Sequence, residues 1–235
     1  SINNENSIIL PLDEVKITKK VSSVLIIFRT NTDVEIWDQN KRRLFEQPNI
    51  EYALKALNSL IKSVNFSIKK YPNIKFKTII VDDNSSDKTI EVAQTYKKLD
   101  NRIKIYKNKF NLGDYPNRNK AATLAKGKYL KYLDSDDLIA KNCLERMVCE
   151  MEKNPECAFG VTSRNLNEVL IHSPMDSFRK HFFERGILDC GPSSYIIKSD
   201  IFIKEQGFKP IRWVGDLEFW LRLAKQYPLI EFETN

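Results

Sequence analysis

An apolar run, Tyr129-Leu130-Lys131-Tyr132-Leu133, breaks off into Asp134-Ser135-Asp136-Asp137. β-type residues that end abruptly in three carboxylates describe a strand whose carboxyl end reaches a surface, and ligands of open α/β sheets bind at such ends. Oxygen-bearing side chains in this arrangement suit a hard divalent cation. Asp134 and Asp136, spaced i and i+2 where a strand bends into a turn, are therefore candidate ligands for Mn2+ or Mg2+. An EF-hand loop fails at its sixth position, where Ile139 stands in place of the required glycine. The competing reading of Asp-Ser-Asp-Asp is an N-cap ahead of a helix over residues 138–153.

A second strand, residues 76–81, also ends in carboxylates, Asp82-Asp83-Asn84-Ser85-Ser86-Asp87. No Gly-x-Gly-x-x-Gly follows the first strand and no Gly-Lys-Ser/Thr occurs, so neither a dinucleotide fold nor a P-loop is supported. If phosphates bind, a metal and arginine must hold them, and Mg2+ commonly takes one or two protein carboxylates and completes its shell with phosphate oxygens and water.

The elements that position these residues alternate. Strands are expected at residues 21–28, 76–81, 103–106 and 129–133, with helices at 49–69, 88–99 and 117–126 between them. Ile50, Leu54, Leu57, Ile61 and Val64 form the apolar stripe of the first helix. Such alternation implies right-handed βαβ units and a parallel sheet. The second half is less regular: a helix at 138–153, strands at 158–162 and 193–197, an irregular stretch at 163–191, helices at 199–205 and 216–226, and a last strand at 228–232. Residues 29–48 are long for a βα loop.

Composition narrows the class. The chain has 235 residues, 42% hydrophobic and 29% charged, which suits one α/β domain rather than a disordered chain. Its net charge of +7 suits an anionic ligand or a membrane surface; no nucleic-acid partner is expected. Cys143, Cys149, Cys157 and Cys190 form no Cys-x-x-Cys pair, and reduced, mostly buried thiols favour the cytosol. No run of about 18 apolar residues suggests a membrane span. Ser1 in place of Met and the abrupt C-terminus suggest an excised piece with further chain expected beyond residue 235.

Val81-Asp82-Asp83-Asn84-Ser85-Ser86-Asp87-Lys88-Thr89 resembles the Val-Asp-Asp-Gly-Ser-x-Asp-x-Thr signature of family-2 glycosyltransferases with the GT-A fold, and Leu133-Asp134-Ser135-Asp136-Asp137 resembles their DxD segment. Between them, Asn111-Leu112-Gly113, Arg118-Asn119 and Ala125-Lys126-Gly127-Lys128-Tyr129-Leu130 are similar to that family's Asn-x-Gly, Ala-Arg-Asn and Ala-x-Gly-x-Tyr-Ile pattern. Gly215-Asp216-Leu217-Glu218-Phe219-Trp220 resembles the segment that carries the catalytic base. Four motifs in the right order are far more specific than any one of them.

The resemblance implies an α/β fold of the GT-A (Rossmann-like nucleotide-diphospho-sugar transferase) type, with a mostly parallel central sheet flanked by helices. It implies a metal-dependent, inverting enzyme that moves a sugar from a nucleotide-sugar donor, a UDP-sugar first among them, to a hydroxyl of a glycan, lipid-linked or protein acceptor. Surface glycan or polysaccharide synthesis and a cytoplasmic location, with peripheral association at the inner face of the membrane, belong to the same expectation. Residues 1–20 would form a polar arm and 21–235 a single catalytic domain, with 21–137 as the nucleotide-sugar half and 138–235 as the acceptor half.

Carried over by position, Asp83 reads the base, Asp134 lies beside ribose and diphosphate, and Asp136, with Asp134, holds the metal. Phe28, Arg29, Arg118 and Ser135 line the nucleotide-sugar site, and Asp216 deprotonates the acceptor. Asp216, which follows a glycine at a helix start, also has a plain N-cap reading. The chemistry agrees with this division of labour. Sugar–phosphate cleavage builds negative charge on the diphosphate, which a cation stabilises, while a carboxylate on the opposite side takes the acceptor proton. One carboxylate at the base position and no second as nucleophile point to single displacement.

Several features depart from the pattern or stand outside it. Phe28-Arg29-Thr30-Asn31 occupies the place of the family's Pro-Thr-Tyr-like turn, and residues 33–45, with Trp37 and Arg42-Arg43, look like an insertion that either covers the donor or makes a solvated excursion. His172 and His181 match no motif, and a metal role for either is not expected. Trp213 and Trp220 flank Asp216; one is a candidate wall for a sugar, and Trp220 reads as core. Two rivals remain from other classes. A receiver-like Mg-binding signalling module would want an acidic pair after the first strand, and a nucleotidyltransferase would want a glycine-rich basic loop there.

Overall fold

The computed structural model describes residues 24–30, 49–70, 77–86, 88–163 and 168–233. In the first half, β1 (Val24–Thr30), α1 (Asn49–Lys70), β2 (Lys77–Asp82), α2 (Thr89–Leu99), β3 (Ile103–Lys107), α3 (Asp114–Thr123) and β4 (Tyr129–Asp134) alternate as the periodicity predicts. These strands pair in parallel, with β1 between β2 and β4. The second half carries α4 (Cys143–Lys153), β5 (Phe159–Ser163), β6 (Leu170–His172), α5 (Pro174–Arg179) and a π-helical turn, Lys180–Glu184. A 3-10 turn at Pro192–Ser194 leads to β7 (Tyr195–Lys198), α6 (Ser199–Lys204), α7 (Gly215–Ala224) and β8 (Leu229–Glu233).

The eight strands of the described residues join one sheet in the order β3-β2-β1-β4-β7-β5-β8-β6. Strand β7 runs antiparallel to both β4 and β5, β5 pairs β8 in parallel, and β6 closes the edge antiparallel to β8. Two antiparallel steps through β7 bring β5 back to the direction of β4. The carboxyl ends of β2, β1, β4 and β5 therefore share one edge of the sheet, and Arg29 of β1 pairs there with both Val81 and Asp134.

Residue alternation sorts the core into two layers. Ile80, Tyr129 and Leu133 pack with α1 and α4 through Leu57, Leu60, Leu144 and Met147. Ile79, Val81, Leu130 and Tyr132 pack on the other face with α3 and α7 through Tyr115, Phe219 and Trp220. Trp220 is fully buried and stacks on Tyr195 at 3.8 Å, so its expected core role holds.

Three expectations need correction. The helix expected at 138–153 begins only at Cys143, because the Ile139 amide is drawn to Ser59 Oγ of α1 at 3.2 Å and Leu138 points into solvent. Asp134–Asp137 is therefore a β-turn, closed by the Asp137 amide on the Asp134 carbonyl at 3.1 Å, and not a helix cap. The helix expected at 117–126 starts earlier, at Asp114, since Gly113 takes a left-handed φ of +84° that re-aims the chain and Pro116 is tolerated in a first turn. The stretch 163–191 is not wholly irregular, for it contains β6 and α5, whose Ser173 cap accepts from the Asp176 amide. The 1–20 arm, the 33–45 insertion with Trp37, Arg42 and Arg43, and Asp87 lie outside the described residues.

Candidate active site

The turn after β4 presents Asp134 and Ser135 half-buried and Asp136 and Asp137 exposed. Asp134 Oδ2 accepts from Arg118 Nη2 at 2.5 Å. The Asp134 amide donates to Ser193 Oγ at 3.0 Å, which pins the strand end to the turn before β7. Arg118 is 5% exposed, too buried to be a merely solvated helix residue. Burial works against its charge, but Asp134 outweighs that penalty and its pKa lies above the ordinary arginine value.

Two buried atoms of this pair, Asp134 Oδ1 and Arg118 Nε, have no hydrogen-bond partner among the described residues. An orphaned carboxylate oxygen beside an exposed carboxylate is a donor set that fits a hard cation. No three His, Cys, Asp or Glu side chains of the described residues converge on one point. A cation here would lean on one or two carboxylates and on oxygens of its ligand, as Mg2+ commonly does.

At the end of β2, Asp82 accepts from the Ser85 amide at 3.0 Å and from its hydroxyl at 2.5 Å. Asp83 is buried and accepts from Asn108 Nδ2 at 2.8 Å, the Leu112 amide at 2.8 Å and the Gly113 amide at 2.9 Å. It holds the Asn111-Leu112-Gly113 turn, a task that sequence reasoning did not assign to it. A carboxylate offers roughly four acceptor positions, and three donors occupy this one.

Asp216 sits half-buried in the first turn of α7. Its Oδ1 accepts from the Tyr115 hydroxyl at 2.9 Å and from the Leu217 amide at 2.9 Å. The preceding loop is held from α3 by Asn119, which donates to the Phe208 carbonyl at 2.7 Å and accepts from the Phe208 amide at 3.0 Å. Helix α3 thus serves three of the candidate carboxylates: Tyr115 touches Asp216, Arg118 touches Asp134, and Asn117 accepts from the same Asn108 amide that serves Asp83. Sequence reasoning found Arg118 and missed Tyr115, Asn108 and Asn117. Buried polar residues in so short and weakly apolar a helix were the available signal.

A cavity of about 640 Å³ opens beside this turn, lined by Asp137, Cys143, Arg185, Cys190, Ser193 and Glu231 among others. Its size falls in the usual range for small-molecule sites. Lys131, buried in β4, donates to the Ser193 carbonyl, and burial lowers its pKa. Partial burial raises the Asp137 carboxyl, helped by Asp134 and Asp136 and opposed by Ser193. Glu231, fully buried, accepts from His172 Nε2 at 2.9 Å and Arg185 Nη2 at 2.5 Å. Burial works to raise it, but the hydrogen bonds from His172, Ser163 and Arg185 prevail and hold its pKa down at about 2.

The remaining candidates fall as follows. Phe28 and Arg29 occupy the end of β1 at the level of Leu133 and Asp134. His172 is engaged with Glu231, and His181 Nδ1 accepts from the Leu188 amide at 3.3 Å. Trp213 is 64% exposed with φ of +73°, and Arg212 lies over its ring at 4.8 Å. The four cysteines form no disulfide, and three are buried.

The chain is similar to several known proteins. An uncharacterized glycosyltransferase of Methanocaldococcus jannaschii is 29% identical over 196 residues, covering 77% of this chain and 67% of that protein. A Bacillus subtilis protein named as a teichuronic acid biosynthesis glycosyltransferase, TuaG, is 33% identical over 159 residues, 64% of this chain and 61% of its own. The matched stretch thus spans about two thirds of these curated relatives. Among solved structures, S. aureus TarS 1-349 superposes with a TM-score of 0.64 at 17% identity, over 90% of this chain and 60% of that one. The mannosyltransferase PcManGT of Pyrobaculum calidifontis, solved with GDP-Man and Mn2+, gives 0.62 at 15% identity, over 88% and 53%. These likenesses establish the GT-A fold, α/β with a mixed, largely parallel sheet. Residues 46–208 match the family model, a stretch that includes Asp83, Arg118 and Asp134 to Asp136 and stops short of Asp216, and on that match the chain belongs to glycosyl transferase family 2.

Proposed function

We propose that this protein transfers a sugar from a UDP-sugar to a hydroxyl acceptor by a single, inverting displacement, with Asp216 as general base. The observation that carries the reading is that one helix, α3, ties together the carboxylate at the end of β4 and the carboxylate that opens α7. Donor-side and acceptor-side groups are thereby held in fixed relation, which is what a displacement requires.

Asp134 and Asp136 would hold a divalent cation, Mn2+ or Mg2+, which when bound offsets the charge that develops on the departing diphosphate. Arg118 holds Asp134 in its orientation. Asp83 shapes the Leu112–Gly113 turn and keeps one acceptor position for a base imide. Ser135, Phe28 and Arg29 complete the nucleotide side. The cavity beside Asp137 takes the transferred sugar. Asp216 then accepts the proton of the attacking hydroxyl.

Support for the donor class comes from the same fold in S. aureus TarS, solved with UDP-GlcNAc and with UDP, and in PcManGT, solved with GDP-Man and Mn2+. The TuaG likeness supports a glycan acceptor in surface polymer synthesis; lipid-linked and protein hydroxyls are the other acceptors the site chemistry would serve. A cytoplasmic enzyme at the inner face of the membrane fits the exposed Met175, Phe182 and Phe183 beside Arg179. No helix of the described residues is long and apolar enough to cross a membrane. Family membership displaces the receiver and nucleotidyltransferase alternatives.

The test is Asp216→Asn, assayed with the donor found on a UDP-sugar panel. Turnover should fall by about two to four orders of magnitude with little change in nucleotide affinity. Near-parental turnover, or a product that keeps the donor's anomeric configuration, would refute the mechanism.

A further inference from the structure

We infer that Tyr115 is a positioning residue for the transfer step: its hydroxyl fixes the Asp216 carboxylate so that Oδ2 faces the incoming acceptor. This rests on the reading of Asp216 as base and extends it to a residue in the gap between the Asn111-Leu112-Gly113 and Arg118-Asn119 motifs.

Both hydrogen bonds to Asp216, from the Tyr115 hydroxyl and the Leu217 amide, converge on Oδ1. Two donors on one oxygen stop the carboxylate from rotating and leave the other oxygen as the proton acceptor. A general base works through such fixed geometry, since a misplaced group loses rate without losing affinity.

Tyr115 can do this because it is itself immobilised. It is 7% exposed and packs against Phe208 at 5.6 Å between centroids. Its ring lies on Gly215, the residue before Asp216, where a Cβ would come within 2.6 Å of Tyr115 Cε2. Glycine at 215 therefore has a physical reason: only a bare backbone lets the ring approach the start of α7. The ring also carries the Arg118 guanidinium at 5.6 Å, one helical turn along α3, and Arg118 pairs with Asp134. Burial raises the pKa of the phenol, which keeps it protonated as a donor at neutral pH.

The contact chain Asp134, Arg118, Tyr115, Asp216 thus runs through one turn of helix from donor-side carboxylate to base. Removing the hydroxyl alone should disturb the base end and leave the donor end in place.

The experiment compares Tyr115→Phe, Gly215→Ala and Asp216→Asn with the parent. The readouts are UDP release from the panel-identified donor, titration of UDP with Mn2+, and thermal melting. For Tyr115→Phe the expected result is a kcat lower by roughly tenfold to a hundredfold, the size of one hydrogen bond to a charged group, with donor KM and UDP affinity unchanged. Gly215→Ala, which keeps the hydroxyl and displaces the ring, should show a similar kcat loss with UDP affinity retained. Parental kcat in Tyr115→Phe would overturn the inference, and so would a kcat loss matched by falls in UDP affinity and melting temperature. If Asp216→Asn stays impaired in either case, the base assignment survives without Tyr115; if Asp216→Asn is fully active, both readings fail.

Discussion

Arg118 Nη2 and Asp134 Oδ2 lie 2.5 Å apart at the end of β4, with side chains only 6% and 18% exposed. A pair this sheltered is sustained by geometry, and removing one partner strands the other. Arg118→Met should therefore destabilise the protein by about 3 kcal/mol. Arg118→Lys keeps charge and loses the planar fork, so it should retain most stability while Asp134 is less firmly aimed. Chemical denaturation together with a Mn2+-dependent UDP titration would show the first effect as a lower midpoint and the second as affinity weaker by about tenfold.

Asp136→Ala should abolish metal-dependent donor binding and leave folding intact, because its carboxylate is exposed and the fold does not lean on it. Calorimetry in which the variant binds UDP plus Mn2+ as the parent does would exclude Asp136 as a ligand. Asp137→Ala is the internal control. Sequence reasoning expects it to cost stability as a helix cap, but no helix starts there, so the stability change should stay within about 0.5 kcal/mol.

Asp83→Asn tests two roles at once. Three donors face the native carboxylate, and an amide group would turn a donor toward at least one of them. The Leu112–Gly113 turn should loosen, at a cost on the order of 2 kcal/mol. If the remaining acceptor position reads an imide N–H, the preference for UDP over CDP should also collapse in competition binding. A variant that is less stable yet keeps that preference would assign base reading to another group, and parental preference for GDP over UDP would overturn the uridine donor.

Glu231 sets a pH dependence of stability. Its folded pKa of about 2 lies below its ordinary value of 4.5. A depressed carboxylate contributes stability that is fully present above about 4.5 and is lost as pH falls toward 2. Parent protein should therefore melt at progressively lower temperature across that window. Glu231→Gln should melt lower at pH 7 and show a shallower decline between pH 5 and 2. Parallel curves for the two proteins would show that the His172 and Arg185 contacts do not contribute.

Much of the fold's first half was legible because its signals are local. Tyr129 to Leu133 alternates between two buried faces, and Asp134 and Asp136 follow where the apolar run stops. The stripe from Ile50 to Val64 is a helix whatever surrounds it. Strand direction is not local: Tyr195–Lys198 reads as a buried strand in either sense, and only its pairing with both β4 and β5 makes it antiparallel. Asp137 looked like a cap because an N-cap is recognised by its neighbours in sequence, whereas its fate was decided by Ser59, which captures the Ile139 amide from 80 residues away.

The chain by itself determined which carboxylates stand at strand ends, and so which residues are candidates to meet a cation and a diphosphate. Tertiary structure alone decided how those carboxylates are held. Tyr115 and Asp216 are 101 residues apart and Asp83 and Gly113 are 30 apart, so no periodicity or spacing couples them. Their meeting depends on how α3 docks between the end of β4 and the start of α7. That docking follows from the left-handed turn at Gly113, the bare backbone at Gly215 and the fit of Tyr115 against Phe208, which are steric facts of packing that a linear pattern does not carry.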